Sequence, residues 1–286
     1  MPDSLQDPAR YLARLGFDAP PPPTTLQTLR ALQLAHTSSF AFETIDTLLR
    51  RPVPVDLPAL ERKLLHDGRG GYCFELNRLF LALLQHLGFE AHALAARVIE
   101  GEVPLARTHL LLLVAIDGAS WIADVGFGGM VPTAPLRLDT SAAQATPHEP
   151  YRVRERDAGY LLQAQVRDAW RDLYTFDLQR QLDIDLEMGS WYVSTHPGSP
   201  FLGELRVART GPGQRKALRN GSFAIHRLGQ PSERRRLDDA DAVLEVLRDE
   251  FGLRPPAGHA LREALQARLE RDAAIQAGLG PAPGRA

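Results

Sequence analysis

The sequence predicts an α+β chain in three successive parts, residues 1–88, 89–188 and 189–286. Three observations carry the prediction. As far as Gly88, leucines and other apolar side chains recur at the spacing of amphipathic helices. From about Glu90 they gather into runs separated by short turn sequences, the pattern of antiparallel strands. Beyond residue 188 the two patterns mix.

Asp7-Pro8 supplies an N-cap and first-turn pair, and Tyr11, Leu12 and Leu15 form an apolar stripe ended by Gly16. Pro20, Pro21, Pro22 and Pro23 read as a short stiff linker. Leu26, Leu29 and Leu32 open a second helix, and residues 57–65 form a third. The fourth starts at Cys73: Leu76, Leu79, Phe80, Leu83, Leu84 and Leu87 keep the helical spacing, and Gly88 closes it. A strand over 91–99 comes next, then two apolar runs around Asp117-Gly118, the strongest short-range hairpin signal. Strands at 151–155, 160–166 and 170–176, with tight turns at 157–159 and 167–169, predict an antiparallel meander. Strands near Leu205 and Ser222 follow, with a helix over 241–251 whose apolar face is Val243, Leu244, Leu247 and Phe251. A sparsely apolar helix over 262–279 and a frayed tail at 280–286 end the chain. Arg234-Arg235-Arg236 is too short for a nucleic-acid patch and reads as a solvated strand edge or turn.

Composition narrows the function classes. Apolar content of 44% and charged content of 24% are those of an ordinary globular chain. A net charge of −2 gives no electrostatic reason to expect nucleic acid or an anionic membrane as partner. No run approaches the roughly 18 apolar residues of a membrane span, and the chain opens without the apolar stretch of a secretory signal. The single cysteine excludes an intrachain disulfide and a thiolate-only metal site, so no metal is expected and a reducing cytoplasm is the expected compartment.

Cys73 lies in Arg69-Gly70-Gly71-Tyr72-Cys73-Phe74-Glu75-Leu76-Asn77, a glycine turn that runs into the fourth helix. A lone cysteine is either a buried bystander or a nucleophile. At the first helical turn the sulfur faces free backbone N–H groups and the positive end of the helix dipole, which favours the thiolate. Gly70 and Gly71 have no side chains to shield it, and so admit a substrate acyl group.

A thiolate nucleophile needs a base, and the base an orienting partner. With Asp117-Gly118 as a two-residue turn, Ile116 pairs with Ala119, Leu113 with Ile122 and Leu111 with Asp124. His109 shares a face with Leu111, so Asp124 is its diagonal neighbour on that face. Taken alone, His109 reads more readily as a satisfied core or edge residue. Asp124 in Trp-Ile-Ala-Asp-Val-Gly is harder to place without a partner, because buried carboxylates are paired. Gly126-Phe127-Gly128-Gly129, next along, is either a nest that cradles phosphate through backbone N–H groups or a bulged turn leaving the hairpin.

These motifs together resemble the arylamine N-acetyltransferases. The resemblance rests on Arg-Gly-Gly-x-Cys-x-Glu-x-Asn, on Thr108-His109 before a leucine strand, and on Asp-Val-Gly-Phe-Gly-Gly. It extends to His36-Thr37-Ser38-Ser39-Phe40-Ala41-Phe42-Glu43-Thr44-Ile45-Asp46 and to blocks around Tyr174, Trp191 and Asn220. Ala41 and Thr44 depart from the family's usual proline and asparagine on the expected substrate side, which bears on acceptor specificity.

The resemblance implies a cysteine-protease-like fold: a helical bundle carrying Cys73 (1–88), an antiparallel β-barrel carrying His109 and Asp124 (89–188), and a C-terminal α/β lid (189–286). It implies a catalytic triad of Cys73 as nucleophile, His109 as base and acid, and Asp124 as orienter. Acetyl-CoA is then a co-substrate, with no permanently bound cofactor, and acetyl passes through Cys73 to an arylamine or arylhydrazine. By the same resemblance Thr108, Gly126, Gly128 and Gly129 contact CoA, Phe42, Val98 and Phe127 line the acceptor pocket, and an Arg69–Glu43 ion pair braces the loop before Cys73. A homodimer is allowed for. Alternatives are an amide synthase of antibiotic biosynthesis using a carrier-bound acyl chain, a cysteine hydrolase or transglutaminase-like enzyme, and a binding protein with an idle triad.

Overall fold

The computed structural model describes residues 4–17, 23–100 and 106–277. Pro20, Pro21 and Pro22 of the linker and the tail at 280–286 lie outside them. Helix α1 (Pro8–Arg14) starts where the Asp7 carboxylate accepts the Arg10 N–H at 3.0 Å, and α2 (Leu26–Ser39) where Thr25 Oγ1 accepts the Thr28 N–H at 3.2 Å. Strand β1 (Phe42–Glu43) and the short α3 (Ile45–Leu48) follow. The third expected helix is wound in two ways: α4 (Leu57–Leu60), capped by Asp56, continues as a π-helical stretch, Glu61–His66. Helix α5 (Cys73–His86) buries the predicted leucine stripe.

Next come β2 (Glu90–Val98), β3 (His109–Ile116), β4 (Ala119–Ala123), β5 (Leu136–Arg137), β6 (Tyr151–Arg156), β7 (Gly159–Val166) and β8 (Ala169–Phe176). Their order in the sheet is β5-β4-β3-β2-β8-β7-β6, antiparallel throughout and nearly closed into a barrel. The hairpin turns fall where the sequence puts them. Ile116 faces Ala119 across Asp117-Gly118, Arg156 faces Gly159, and Val166 faces Ala169. Strand β3 is buried on both faces, which explains its unbroken apolar run. Leu111 and Leu113 point into the barrel with Leu94, Ile122 and Tyr174. Leu112, Val114 and Ile116 pack against Leu29, Leu32, Leu76 and Phe80 of the helices.

After the barrel come α6 (Asp183–Thr195), β9 (Arg206–Gly211), β10 (Gln214–Arg219), β11 (Ser222–Arg227), β12 (Glu233–Arg236), α7 (Ala240–Asp249) and α8 (Ala260–Gln276). The second sheet runs β1-β9-β10-β11-β12, so β1 from near the start of the chain forms one edge of the C-terminal sheet. The arginine run is its exposed far edge, β12, where charged side chains discourage pairing with another strand. Helix α8 has few apolar residues, but Leu261, Leu265 and Leu269 recur every fourth position and meet Val243 and Leu247 of α7. That narrow stripe is enough to dock it. The result is an α+β fold. No helix among the described residues is long and apolar enough to cross a membrane.

Candidate active site

Cys73 is the first residue of α5 and is 4% exposed. Its thiol faces the carbonyl oxygen of Thr108 at 3.6 Å. The helix start is held by Glu75, whose Oε2 accepts the Tyr72 N–H at 3.0 Å. The preceding glycines are required by the protein itself rather than by a substrate. A Cβ on Gly70 would stand 2.1 Å from the Ala41 carbonyl oxygen, and one on Gly71 would meet the Glu75 side chain at 2.8 Å. This close approach lets the Gly71 N–H donate to Ala41 O and the Glu43 N–H donate to Gly71 O.

Below that loop lies a buried ion network. Arg69 holds Glu43 at 2.7 Å and Asp46 at 3.1 Å, and Lys63 holds Asp46 at 2.7 Å and Glu75 at 2.6 Å. The network ties α3, the π-helical stretch, the Arg69 loop and α5 together around the thiol. Burial pushes the Glu75 carboxyl up to about 7 despite the opposing charge of Lys63.

His109 opens β3, and Asp124 directly follows β4. The strand alternation that sends Leu111 and Ile122 into the barrel sends both polar groups to the same side. His109 Nε2 and Asp124 Oδ2 are 2.7 Å apart. Asp124, fully buried, also accepts hydrogen bonds from Asn77 Nδ2 (3.0 Å), the Tyr174 hydroxyl (2.9 Å) and the Gly126 N–H (2.9 Å). A buried carboxylate so surrounded stays ionised. Asn77 holds the arrangement from α5: its Oδ1 accepts the Val125 N–H and its Nδ2 also donates to Leu110 O.

Gly126 packs on the nucleophile's own backbone, where a Cβ would lie 2.7 Å from Cys73 Cα. The Phe127 and Tyr174 rings stand 4.9 Å and 4.8 Å from the His109 ring. Cys73 and His109 line a cavity of about 760 Å³, together with Thr108, Gly126, Gly128 and Gly129. Phe42, Val98 and Phe127 line it as well. Asp124 sits behind His109, off the cavity surface. The structure thus gathers Cys73, His109, Asp124 and the residues expected to contact donor and acceptor around one cavity.

Ala41 and Thr44 are not on the cavity wall. The Ala41 carbonyl supports Gly71, while Thr44 Oγ1 donates to Glu204 O and accepts the Arg206 N–H. They brace the C-terminal sheet against the loop, which corrects the expectation that they face substrate. Sequence reasoning assigned no site role to Asn77 or Tyr174. Asn77 carries a signal in hindsight: it is a polar residue four positions after Cys73, on the buried face of α5. Among the described residues no cluster of side chains could hold a metal ion.

A family model for N-acetyltransferase matches residues 25–257. The arylamine N-acetyltransferase of Mycolicibacterium smegmatis is 45% identical over 250 residues, covering 85% of this chain and 90% of that protein. The solved structure of the M. smegmatis arylamine N-acetyltransferase superposes with a TM-score of 0.88 at 41% identity, covering 93% of this chain and 99% of that one. The Mycobacterium marinum arylamine N-acetyltransferase in complex with CoA does so with a TM-score of 0.84 at 41% identity, covering 92% and 98%. Agreement of sequence and fold over nearly the whole length goes beyond shared architecture, and the chain belongs to the arylamine N-acetyltransferase family.

Proposed function

We propose that this chain moves an acetyl group from acetyl-CoA to the nitrogen of an arylamine or arylhydrazine, by a ping-pong route through an acetyl thioester on Cys73. The observation that carries the reading is the His109–Asp124 pair beside the chain's one thiol, at the wall of a cavity open to a ligand. CoA bound in the M. marinum relative supports CoA as the donor's handle.

In the first half-reaction Cys73 attacks the thioester carbonyl as a thiolate, its proton held on His109. The tetrahedral oxyanion is met by the backbone N–H of Cys73 at the start of α5. The carbon–sulfur bond to CoA breaks, and the His109 imidazolium gives its proton to the departing CoA thiolate. In the second half-reaction the amine nitrogen attacks the acetyl-Cys73 carbonyl, neutral His109 takes the amine proton, and the Cys73 thiolate leaves. Asp124 fixes the imidazole tautomer and stabilises the imidazolium in both. We assign Thr108, Gly126, Gly128 and Gly129 to the donor and Phe42, Val98 and Phe127 to the acceptor.

Intact-protein mass spectrometry after mixing with acetyl-CoA alone tests the reading. One acetyl group on Cys73, discharged by an aminobenzoate or a hydrazine, is expected. Turnover without a covalent acetyl-enzyme excludes the ping-pong route.

A further inference from the structure

Asn77 interrupts the leucine stripe of α5 four residues after Cys73, and it is 0% exposed. Asparagine is a poor helix former, because its amide competes for nearby backbone groups. Once buried it needs partners that only the tertiary fold can supply. It has three, and they lie beside both His109 and Asp124. Nδ2 donates to the carbonyl of Leu110, the residue after His109, at 2.6 Å, and to Asp124 Oδ1 at 3.0 Å. Oδ1 accepts the N–H of Val125, the residue after Asp124, at 3.0 Å. A Cβ on Gly126 would stand 2.7 Å from Nδ2, so glycine there is what admits the amide. One side chain on the thiol's own helix thus reaches β3 and the turn after β4 together.

These contacts divide the Asp124 carboxylate. Oδ1 is taken by Asn77 and the Gly126 N–H, Oδ2 by His109 and the Tyr174 hydroxyl. The titratable groups facing Asp124 are His109 from β3, Tyr174 from β8 and, by charge, Tyr151 from β6, while Cys73 of α5 acts on His109. Burial holds both phenols well above their ordinary value, so they stay neutral where the site works. Among the described residues, Asn77 is the one partner of the carboxylate that α5 supplies. A second buried amide, Gln33 of α2, gives a contrast. Its Nε2 donates to Asp124 O at 3.2 Å and to Pro132 O at 2.8 Å, so it holds the backbone there and not the charge.

We propose that Asn77 is the positioning residue of the His109–Asp124 pair: from the helix that carries the thiol it locks Asp124 Oδ1, so that Oδ2 alone is presented to His109 and the pair stays in register with Cys73. Asn77 is not on the cavity wall, so it acts through Asp124. The inference rests on Cys73 being the nucleophile, as read above. Losing the Asn77 donor has a definite sign. Asp124 is held below its ordinary value partly by that hydrogen bond, so removing it lets the carboxyl rise and brings the acid limit of acylation to higher pH.

Single-turnover acylation of Cys73 by acetyl-CoA between pH 5 and 9, measured beside thermal unfolding, tests the assignment. Asn77→Ala should slow acylation at pH 7 by about 10- to 100-fold, the range of one hydrogen bond to a charged group. Its acid limb should move up by about one pH unit, with KM for acetyl-CoA little changed. Asn77→Asp keeps the shape and the oxygen for the Val125 N–H, but it puts a second carboxyl where the amide stands 3.0 Å from Asp124 Oδ1. The two must share a proton, so this variant should acylate more slowly than Asn77→Ala. A side chain that only fills space would rank the two the other way, and that ranking overturns the assignment. Gln33→Met should lower the unfolding temperature and leave the acid limb in place; a limb shifted equally in Gln33→Met and Asn77→Ala overturns it too. If the Asn77 variants do not fold, the wild type decides. Asn77 and Asn220 are the chain's two asparagines, so an isotope label in the asparagine side-chain carbonyl carbon gives two NMR signals. Asn220, which donates to Asp272 at 2.8 Å, is the reference. The Asn77 signal should move as His109 titrates near pH 10, and one that stays still overturns the assignment. A wild-type chain that takes no acetyl group from acetyl-CoA refutes the donor reading, while the Asn77 signal still reports on the pair.

Discussion

His109 Nε2 and Asp124 Oδ2 stand 2.7 Å apart at the open end of the β3–β4 hairpin, with His109 2% and Asp124 0% exposed. Burial alone would drive the imidazole pKa down. The Asp124 carboxylate outweighs it by charge and hydrogen bond, with further help from Cys73, and holds His109 up to about 10. Asp124 is held below its ordinary value: burial would raise it, but His109, Asn77 and the Gly126 N–H stabilise the anion more. Tyr174 donates to the same Oδ2 as His109, so the carboxylate's orientation is fixed from the barrel side as well as from α5.

Replacing Asp124 by Asn should therefore silence the thiol without destroying the fold. The substitution removes the anion that keeps His109 protonated and can favour the wrong imidazole tautomer. Acylation of Cys73 by acetyl-CoA at neutral pH should fall by about three to four orders of magnitude. His109→Gln should behave similarly, and the double variant should be little worse than either single one, since the two act as a unit. Rapid-quench acylation rates measured beside thermal unfolding decide the matter. A stable Asp124→Asn protein that acylates at near wild-type rate would show that another residue sets the state of His109.

The same pair makes stability depend on pH with a definite sign. A histidine raised from about 6.5 in the unfolded chain to about 10 in the fold contributes stability that is fully present below pH 6.5. That contribution is lost as pH rises through 10. Asp124, being lowered, contributes above its unfolded value and loses that contribution only as pH falls through its folded one. Urea unfolding from pH 6.5 to 10 should thus show declining wild-type stability. The decline should be flatter in His109→Gln. Parallel curves for the two proteins would mean that the pair does not carry the alkaline limb.

Most of this site is legible in the sequence, because its groups are fixed by short-range rules. The Asp117-Gly118 turn sets the register of β3 on β4, and that register places His109 and Asp124 on one face. The leucine stripe after Cys73 sets the helix whose first turn holds the thiol. What the sequence hides depends on long-range packing. Helix α6 misleads the pattern: Ile184, Met188 and Trp191 recur at helical spacing yet face solvent, while the buried face is Leu186, Ser190, Val193 and Ser194. Strand β1 is two residues long and is defined by its partner β9, far along the chain. Tyr174 sits among apolar residues of β8, and only barrel closure shows that its hydroxyl reaches Asp124.

Access to Cys73 runs through the cavity, since the residue is 4% exposed and its thiol meets the Thr108 carbonyl. Iodoacetamide should therefore add one label per native chain and abolish acyl transfer. Bound CoA or prior acetylation should protect. Peptide mapping identifies the position, and Cys73→Ala should fold normally, take no label and be inactive. Labelling seen only after denaturation would contradict the access route and mark Cys73 as a sealed core residue.

Lys63 tests how the thiol's scaffold is held. Its ammonium is shared by Asp46 and Glu75, and Arg69 is shared by Asp46 and Glu43, so three carboxylates surround two cations, with Glu43 and Glu75 buried and Lys63 and Asp46 half-buried. Lys63→Met leaves Asp46 with Arg69 but strips Glu75 of its charge partner. Breaking a buried pair in this way costs about 3–5 kcal/mol, because the remaining charge has nowhere to go. Glu75 does have an escape: burial already holds its carboxyl up to about 7, and without Lys63 it rises further, so the variant relieves itself by taking a proton. A raised carboxyl contributes stability below its unfolded value, and that contribution is lost as pH rises through the folded one. The deficit of Lys63→Met relative to wild type should therefore be small at pH 5.5 and large at pH 8, as read by urea unfolding at the two values. Adding Glu75→Gln should recover much of the loss at pH 8, since it removes the stranded charge while keeping an oxygen to accept the Tyr72 N–H. A deficit equal at both pH values, or a double variant no better than Lys63→Met, would mean that Lys63 acts by packing and not by neutralising Glu75.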